Sequence, residues 1–129
     1  MAGREISQEE IKRRKESCRK ILDISKKIRY IGMMNKFGRT LAGQLRGDVT
    51  PLFQPEEARN ENFLETMRNE LRKNFETSIG KAEYTYTENQ KVKILTLSDE
   101  DSFYYITIDK DTEDNEVKRI IKAAKALIG

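Results

Sequence analysis

Between Pro55 and Gly80, six large apolar residues, Phe63, Leu64, Met67, Leu71, Phe75 and Ile79, recur at three- and four-residue steps. That period puts them along one side of a helix, with Glu65, Asn69, Arg72, Lys73 and Glu76 on the other. Pro55 suits the first turn of such a helix, and Gly80 is placed to end it as a left-handed cap. An amphipathic helix has to lay its apolar stripe on another element. The stripe is therefore expected to be covered and the charged side, with Glu65, Arg68, Arg72 and Glu76, to form the outer face.

The remaining segments supply a sheet. Ile28–Met34 and Arg39–Leu45 flank Asn35-Lys36-Phe37-Gly38, in which asparagine opens and glycine closes a turn. This is hairpin chemistry. The first of these strands is apolar on both faces, which argues a central position. After Gly80, Ala82–Glu88 alternates, with Tyr84 and Tyr86 on one face and Glu83, Thr85 and Thr87 on the other. Lys91–Ser98 and Phe103–Asp109 follow, joined by the acidic turn Asp99-Glu100-Asp101-Ser102. Short connections make consecutive strands antiparallel. A first helix is announced by the capping box Ser7-Gln8-Glu9-Glu10, with a thin stripe of Ile11, Cys18, Ile21 and Leu22. A last one, capped by Asp111 or Thr112, carries Val117, Ile120, Ile121, Ala124, Leu127 and Ile128. The expected fold is α+β: one domain over 1–129, a five-stranded antiparallel sheet with helices on both faces, in the order α-β-β-α-β-β-β-α. Residues 1–27 form a peripheral basic helix and loop.

Several kinds of chemistry are excluded early. The chain has 129 residues, one cysteine and no histidine, so it lacks an internal disulfide, most catalytic triads and the commonest metal ligand. Cys18 lies in line with Ile11 and Leu22 and reads as a small buried apolar residue. No nucleophile elbow or phosphate-cradling glycine loop is present. The run Asp109–Glu116 invites a calcium reading. An EF-hand loop starting at Asp109 would need glycine and glutamate where Asp114 and Ile120 stand. Acids beside a helix N-terminus are explained by its dipole. The expectation is a non-enzyme without cofactor or metal.

Net charge is +3, unevenly spread: residues 1–29 carry ten Lys/Arg against five acids, and residues 99–116 carry eight acids against Lys110. The basic residues of the first helix, Lys12, Arg13, Arg19 and Lys20 among them, form a possible partner surface. Glu9, Glu10 and Glu16 interrupt it and no aromatic precedes Tyr30, so a solvated face is preferred to a nucleic-acid site. Tyr84, Tyr86, Tyr104 and Tyr105 read as sheet packing in preference to a stacking platform. The start lacks a secretory apolar stretch, Ala2 replaces the glycine that myristoylation needs, and no apolar run approaches the ~18 residues of a membrane span. A cytoplasmic protein is expected.

The element order, the length and the hairpin Gly32-Met33-Met34-Asn35-Lys36-Phe37-Gly38-Arg39-Thr40-Leu41-Ala42 resemble the roadblock family, over nearly the whole chain. The hairpin Asn-Lys-Phe-Gly-Arg with the following Pro51-Leu52 is also similar to an archaeal family without an assigned activity. The resemblance implies a profilin-like fold and a small dimeric scaffold or regulator working alongside Ras-like small GTPases. It assigns no residue to a GTPase contact. A homodimer is expected through the strand Lys81–Glu88 and the helix Pro55–Ile79. Its contacts would be Glu83, Tyr84, Thr85, Tyr86 and Thr87 on an unguarded sheet edge, with Arg68, Arg72 and Glu76 making a polar seam. The alternative is a small-molecule sensor, with space at Gly32, Ala42 and Gly43 lined by Met33, Met34 and Phe63. Weak nucleic-acid binding through the first helix is a third reading.

Overall fold

The computed structural model describes residues 7–99 and 102–128. Of the expected features, the turn residues Glu100 and Asp101 and the chain ends 1–6 and Gly129 lie outside the described residues. The elements are α1 (Gln8–Leu22), β1 (Ile28–Asn35), β2 (Thr40–Leu45), α2 (Pro55–Arg72), a single 3-10 turn Lys73–Phe75, α3 (Glu76–Ile79), β3 (Thr85–Glu88), β4 (Val92–Ser98), β5 (Ser102–Asp109) and α4 (Asp114–Ile128). The strands form one five-stranded sheet in the order β2-β1-β5-β4-β3, antiparallel throughout.

Strand β5 occupies the centre, and Phe103 to Ile108 are all buried. Its alternating side chains serve two cores. Tyr104, Ile106 and Ile108 face Cys18, Ile21 and Leu22 of α1 and Ile120 and Ala124 of α4. Phe103 and Tyr105 meet Met34, Val92 and Ile94 on the opposite face, beneath α2. Helices therefore cover both faces, two on one side and α2 on the other.

Local chemistry explains the element ends. The Ser7 hydroxyl accepts the Glu10 amide at 3.1 Å, as a capping box requires. In the β1–β2 turn, Asn35 Oδ1 accepts the amides of Phe37 and Arg39, and Gly38 adopts φ +83°. Gly80 also has positive φ, but its ψ of 173° is an extended glycine conformation and not the left-handed helical one expected. Strands β1, β2, β4 and β5 each differ from expectation by one residue at one end, and three boundaries differ for a visible reason. Helix α2 ends at Arg72, seven residues early, because the chain tightens into the 3-10 turn. Helix α4 begins at Asp114, since the Thr112 hydroxyl donates to the Asp109 carbonyl at 2.7 Å and is used up closing the turn after β5. Strand β3 starts at Thr85 and not at Lys81 or Ala82; in its register Glu83 would meet Ser98, but Glu83 is drawn to Lys125 of α4 at 2.8 Å. Leu127, placed in the α4 stripe by spacing, is half-exposed.

The paired glycines of the hairpin, Gly32 and Gly43, do not line a free space. A Cβ on either would stand 2.7 Å from the Tyr30 hydroxyl, so the tyrosine ring lies across both. Ala42 and Met33 pack on the α1 side, Met34 on the α2 side, and Phe63 is exposed. The space expected at Gly32, Ala42 and Gly43 is thus filled by Tyr30 or divided between faces. Gly43→Ala is expected to destabilise the fold by about 1–3 kcal/mol through overpacking. In a Tyr30→Phe background that cost should shrink, because the clashing hydroxyl is gone. Urea unfolding of the four members of this double-mutant cycle measures the coupling.

Candidate partner interface

Helix α2 lies on the sheet by its polar side. Glu65 is 7% exposed and Thr66 is buried, while Ala58, Glu61, Asn62 and Asn69 are half-buried. Partners on the strands meet them. Tyr105 donates its hydroxyl proton to Glu61 Oε2 at 2.6 Å, Ser98 donates to Asn69 Oδ1 at 2.7 Å, and Asn62 Nδ2 donates to Thr40 Oγ1 at 3.4 Å. The hairpin tip also touches this helix, since a Cβ on Gly38 would stand 3.3 Å from Thr66 Oγ1.

The apolar stripe points away from the protein. Phe63 is 61% exposed, and Leu64, Met67, Leu71, Phe75 and Ile79 are exposed with it. The expected charged outer face is therefore overturned: Glu65 is buried and the outside of α2 is apolar. The physical reason lies in the sheet, whose α2 side presents the hydroxyls of Tyr105, Ser98 and Thr40. Carboxylates and amides satisfy such groups, and a leucine over the buried Tyr105 hydroxyl would leave it unpaired. Phe37, at the hairpin tip beside α2, is exposed as well and extends the apolar surface. A contiguous exposed apolar face of this kind marks an interaction surface.

Burial sets the electrostatics beneath the helix. Desolvation pushes the Glu65 carboxyl above its ordinary range; Arg68, at 3.6 Å, opposes the shift and Glu61 reinforces it. Burial, and then the hydrogen bond to Glu61, push the Tyr105 hydroxyl strongly upward, so it stays a donor.

The residues singled out for a dimer contact are not all where the helical period placed them. Arg68 pairs with the buried Glu65, and the Arg72 guanidinium lies 5.5 Å from the centre of the Phe75 ring. Arg72 and Glu76 line a cleft with Lys81 and Ser98, toward the sheet and not on the outer face. Strand β3 is an edge of the sheet, as expected. On it Thr85 and Thr87 are half-buried. Tyr86 packs against the α1/α4 core, and its hydroxyl, bonded to Glu88, is pushed up to about 12 by burial first and then by that carboxylate. Tyr84 lies under the Lys125 ammonium, and Glu83 binds the same lysine. Tyr104 and Tyr105 are core residues of opposite faces. The four tyrosines make no common platform.

Along α1, Lys12, Arg13 and Lys20 are exposed, whereas Arg19 is clamped by Glu16 and by Asp23 at 2.8 Å. Arg14 pairs with Glu10 at 3.2 Å. The acids around the start of α4 have structural work: Asp109 holds Arg29 at 3.0 Å, Asp111 faces Lys27, and Glu116 binds Ser25 and Arg119. The Arg119 and Ser25 hydrogen bonds hold the Glu116 carboxyl at about 2. Among the described residues no group of acids, and no group including Cys18, has metal-site geometry, and no helix is long and apolar enough to cross a membrane.

No protein-family model matches this chain, and no curated protein does. Solved structures do. A structure described as MglB with tetrameric arrangement superposes with TM-score 0.71 at 16% identity, covering 92% of this chain and 87% of that one. MglB of Myxococcus xanthus gives 0.71 at 13% identity over 96% and 90%. A roadblock/LC7 domain from Streptomyces avermitilis gives 0.62 at 7% identity over 88% and 92%. The fold is that of roadblock/LC7 domains.

The buried carboxyl of α2 makes a measurable contribution. An acid whose folded value is raised costs stability as pH climbs from its ordinary value through the folded one. Glu65→Gln should therefore gain on the unsubstituted protein between about pH 4 and about pH 7. Urea midpoints of the two proteins at both pH values check this; a constant difference would contradict it.

Proposed function

We propose that the chain is a non-catalytic, homodimeric scaffold or regulator of the roadblock type that works alongside a small GTPase. The observation that carries the dimer is the outward-facing apolar stripe of α2, which continues toward an unguarded edge strand. Burying six large apolar side chains in one copy is favourable by about 1.5–3 kcal/mol for each that is fully covered. A second copy offers the same stripe, and a two-fold axis matches it to itself. Strand β3, with no proline and open backbone groups, can pair with its own copy across that axis. The dimer contact then has an apolar centre from α2. Glu83, Tyr84, Thr85, Tyr86 and Thr87 flank it, and Arg68, Arg72 and Glu76 lie toward its margin.

The small GTPase rests on the resemblance to roadblock proteins and on the structural likeness to MglB. One of those MglB structures is described as having a tetrameric arrangement, so assembly through this fold has a precedent. The exposed cations Lys12, Arg13 and Lys20 of α1 stay available in such a dimer for a partner protein. Arg14 and Arg19 are neutralised within the helix, which leaves fewer cations for phosphates and weighs against nucleic acid.

Leu71→Glu, at an exposed position of the stripe, should leave the circular dichroism spectrum unchanged and convert the protein to single copies. Light scattering at high concentration reads the mass. A monomer for the unsubstituted protein would refute the dimer, and a dimer for Leu71→Glu would move the interface elsewhere. The GTPase reading is checked separately, by passing a small GTPase encoded beside this chain over the dimer in its two nucleotide states; no retention in either state refutes it.

A further inference from the structure

Because α2 turns its large side chains outward, the gap between its first turns and the sheet is filled from below by two tyrosine rings. They do not fill it completely. A cavity of about 330 Å³ remains between α2, β1, β2, β5 and the loop that joins β2 to α2. Sites for small molecules run from about 300 to 1,000 Å³. Ala58, the smallest residue on the sheet-facing side of α2, forms part of the roof, and Tyr30, Tyr105 and Phe53 supply ring surfaces. The loop wall is fixed from underneath. Arg29 donates to the Thr50 carbonyl at 3.1 Å and to Asp109 at 3.0 Å, so its charge is committed to the frame. Glu61 differs: Tyr105 occupies one carboxylate oxygen, and the other has no partner among the described residues.

We propose that this cavity binds a small, flat organic cation: an aryl or heteroaryl ring bearing a positively charged group with N–H donors. The ring lies among Tyr30, Tyr105 and Phe53, and the charged end donates to Glu61. Electron-rich ring faces attract a cation, and a partly desolvated carboxylate makes a charge-assisted hydrogen bond to it. An anion is served less well. Arg29 is already neutralised, and Arg59 is exposed at the lip, where water and salt screen it. All lining residues belong to one copy and sit behind the apolar stripe, so the site does not depend on the dimer.

Benzamidine is the probe, with benzoate as the ring of equal size and opposite charge. Titration of the full chain, followed by amide and tyrosine NMR shifts, should saturate with benzamidine and perturb residues 58–62 and Tyr105. Glu61→Gln should weaken binding about tenfold or more. Tyr105→Phe, which keeps the ring and frees the second carboxylate oxygen, should retain binding. Ala58→Phe should block it; if that variant does not fold, the Glu61→Gln and Tyr105→Phe pair decides alone. Shifts that never saturate, benzoate binding as tightly as benzamidine, or Glu61→Gln binding unchanged would each overturn the proposal.

Discussion

The pairing of β1 with β5 holds the molecule together. It joins residues some seventy positions apart, with Ile31 opposite Ile106, and both are fully buried. Without it the β1–β2 hairpin would be an isolated two-stranded ribbon, marginal in water, and the β3–β4–β5 meander would lose the neighbour that makes β5 central. With it, α1 and α4 gain a common floor, and Cys18, Ile21, Leu22, Ile120 and Ala124 close one core upon it. Arg46 fastens the corner of that core by donating to the carbonyls of Leu22, Ser25 and Ile28. One guanidinium thus caps three backbone carbonyls, at the end of α1, in the connecting turn and at the start of β1.

The two sides of the sheet follow different rules. On the α1/α4 side, apolar area leaves water, at roughly 25 cal/mol per Å². On the α2 side, a smaller apolar cluster of Met34, Val92, Ile94, Phe103 and Tyr105 lies under hydroxyls that meet carboxylates and amides, and each such hydrogen bond contributes only about 0.5–1.5 kcal/mol net. Helix α2 is therefore attached by modest forces on its inner side while its strongest stabilising potential faces outward. Its amphipathic pattern describes a contact between molecules, and the same arrangement leaves unfilled space behind the helix.

Much of this was legible from residue order. The capping box at Ser7, the Asn35–Gly38 turn, the central apolar strands and the edge position of β3 all follow from local chemistry and short connections. The orientation of α2 did not follow. A helical period tells which residues share a face, and it is silent on which face meets the sheet. The signal that could have decided it was present in Ala58, Glu61, Asn62, Glu65, Thr66 and Asn69, a stripe able to answer Tyr105, Ser98 and Thr40. Recognising it needs both partners of each hydrogen bond, and those lie up to 44 positions apart. The cavity escaped for a similar reason. Gly32 and Gly43 suggested room, but the ring of Tyr30, two residues before Gly32, lies across both.

The segment between the end of β2 and the start of β3 leaves the sheet and returns to it without interrupting the β2-β1-β5-β4-β3 ladder. The apolar core that holds α1, α4 and the central strands includes no side chain from α2. Helix α2, tied to the sheet by a few polar contacts above a small apolar cluster, is therefore expected to open locally at lower free energy than the β1–β5 pairing. Amide exchange in α2 then reports on what covers its outer face, and exchange in β5 reports on global unfolding. One small domain would then keep a slow clock in its central strand and a fast one in its exposed helix, and occupancy of the helix is expected to reset the fast one alone.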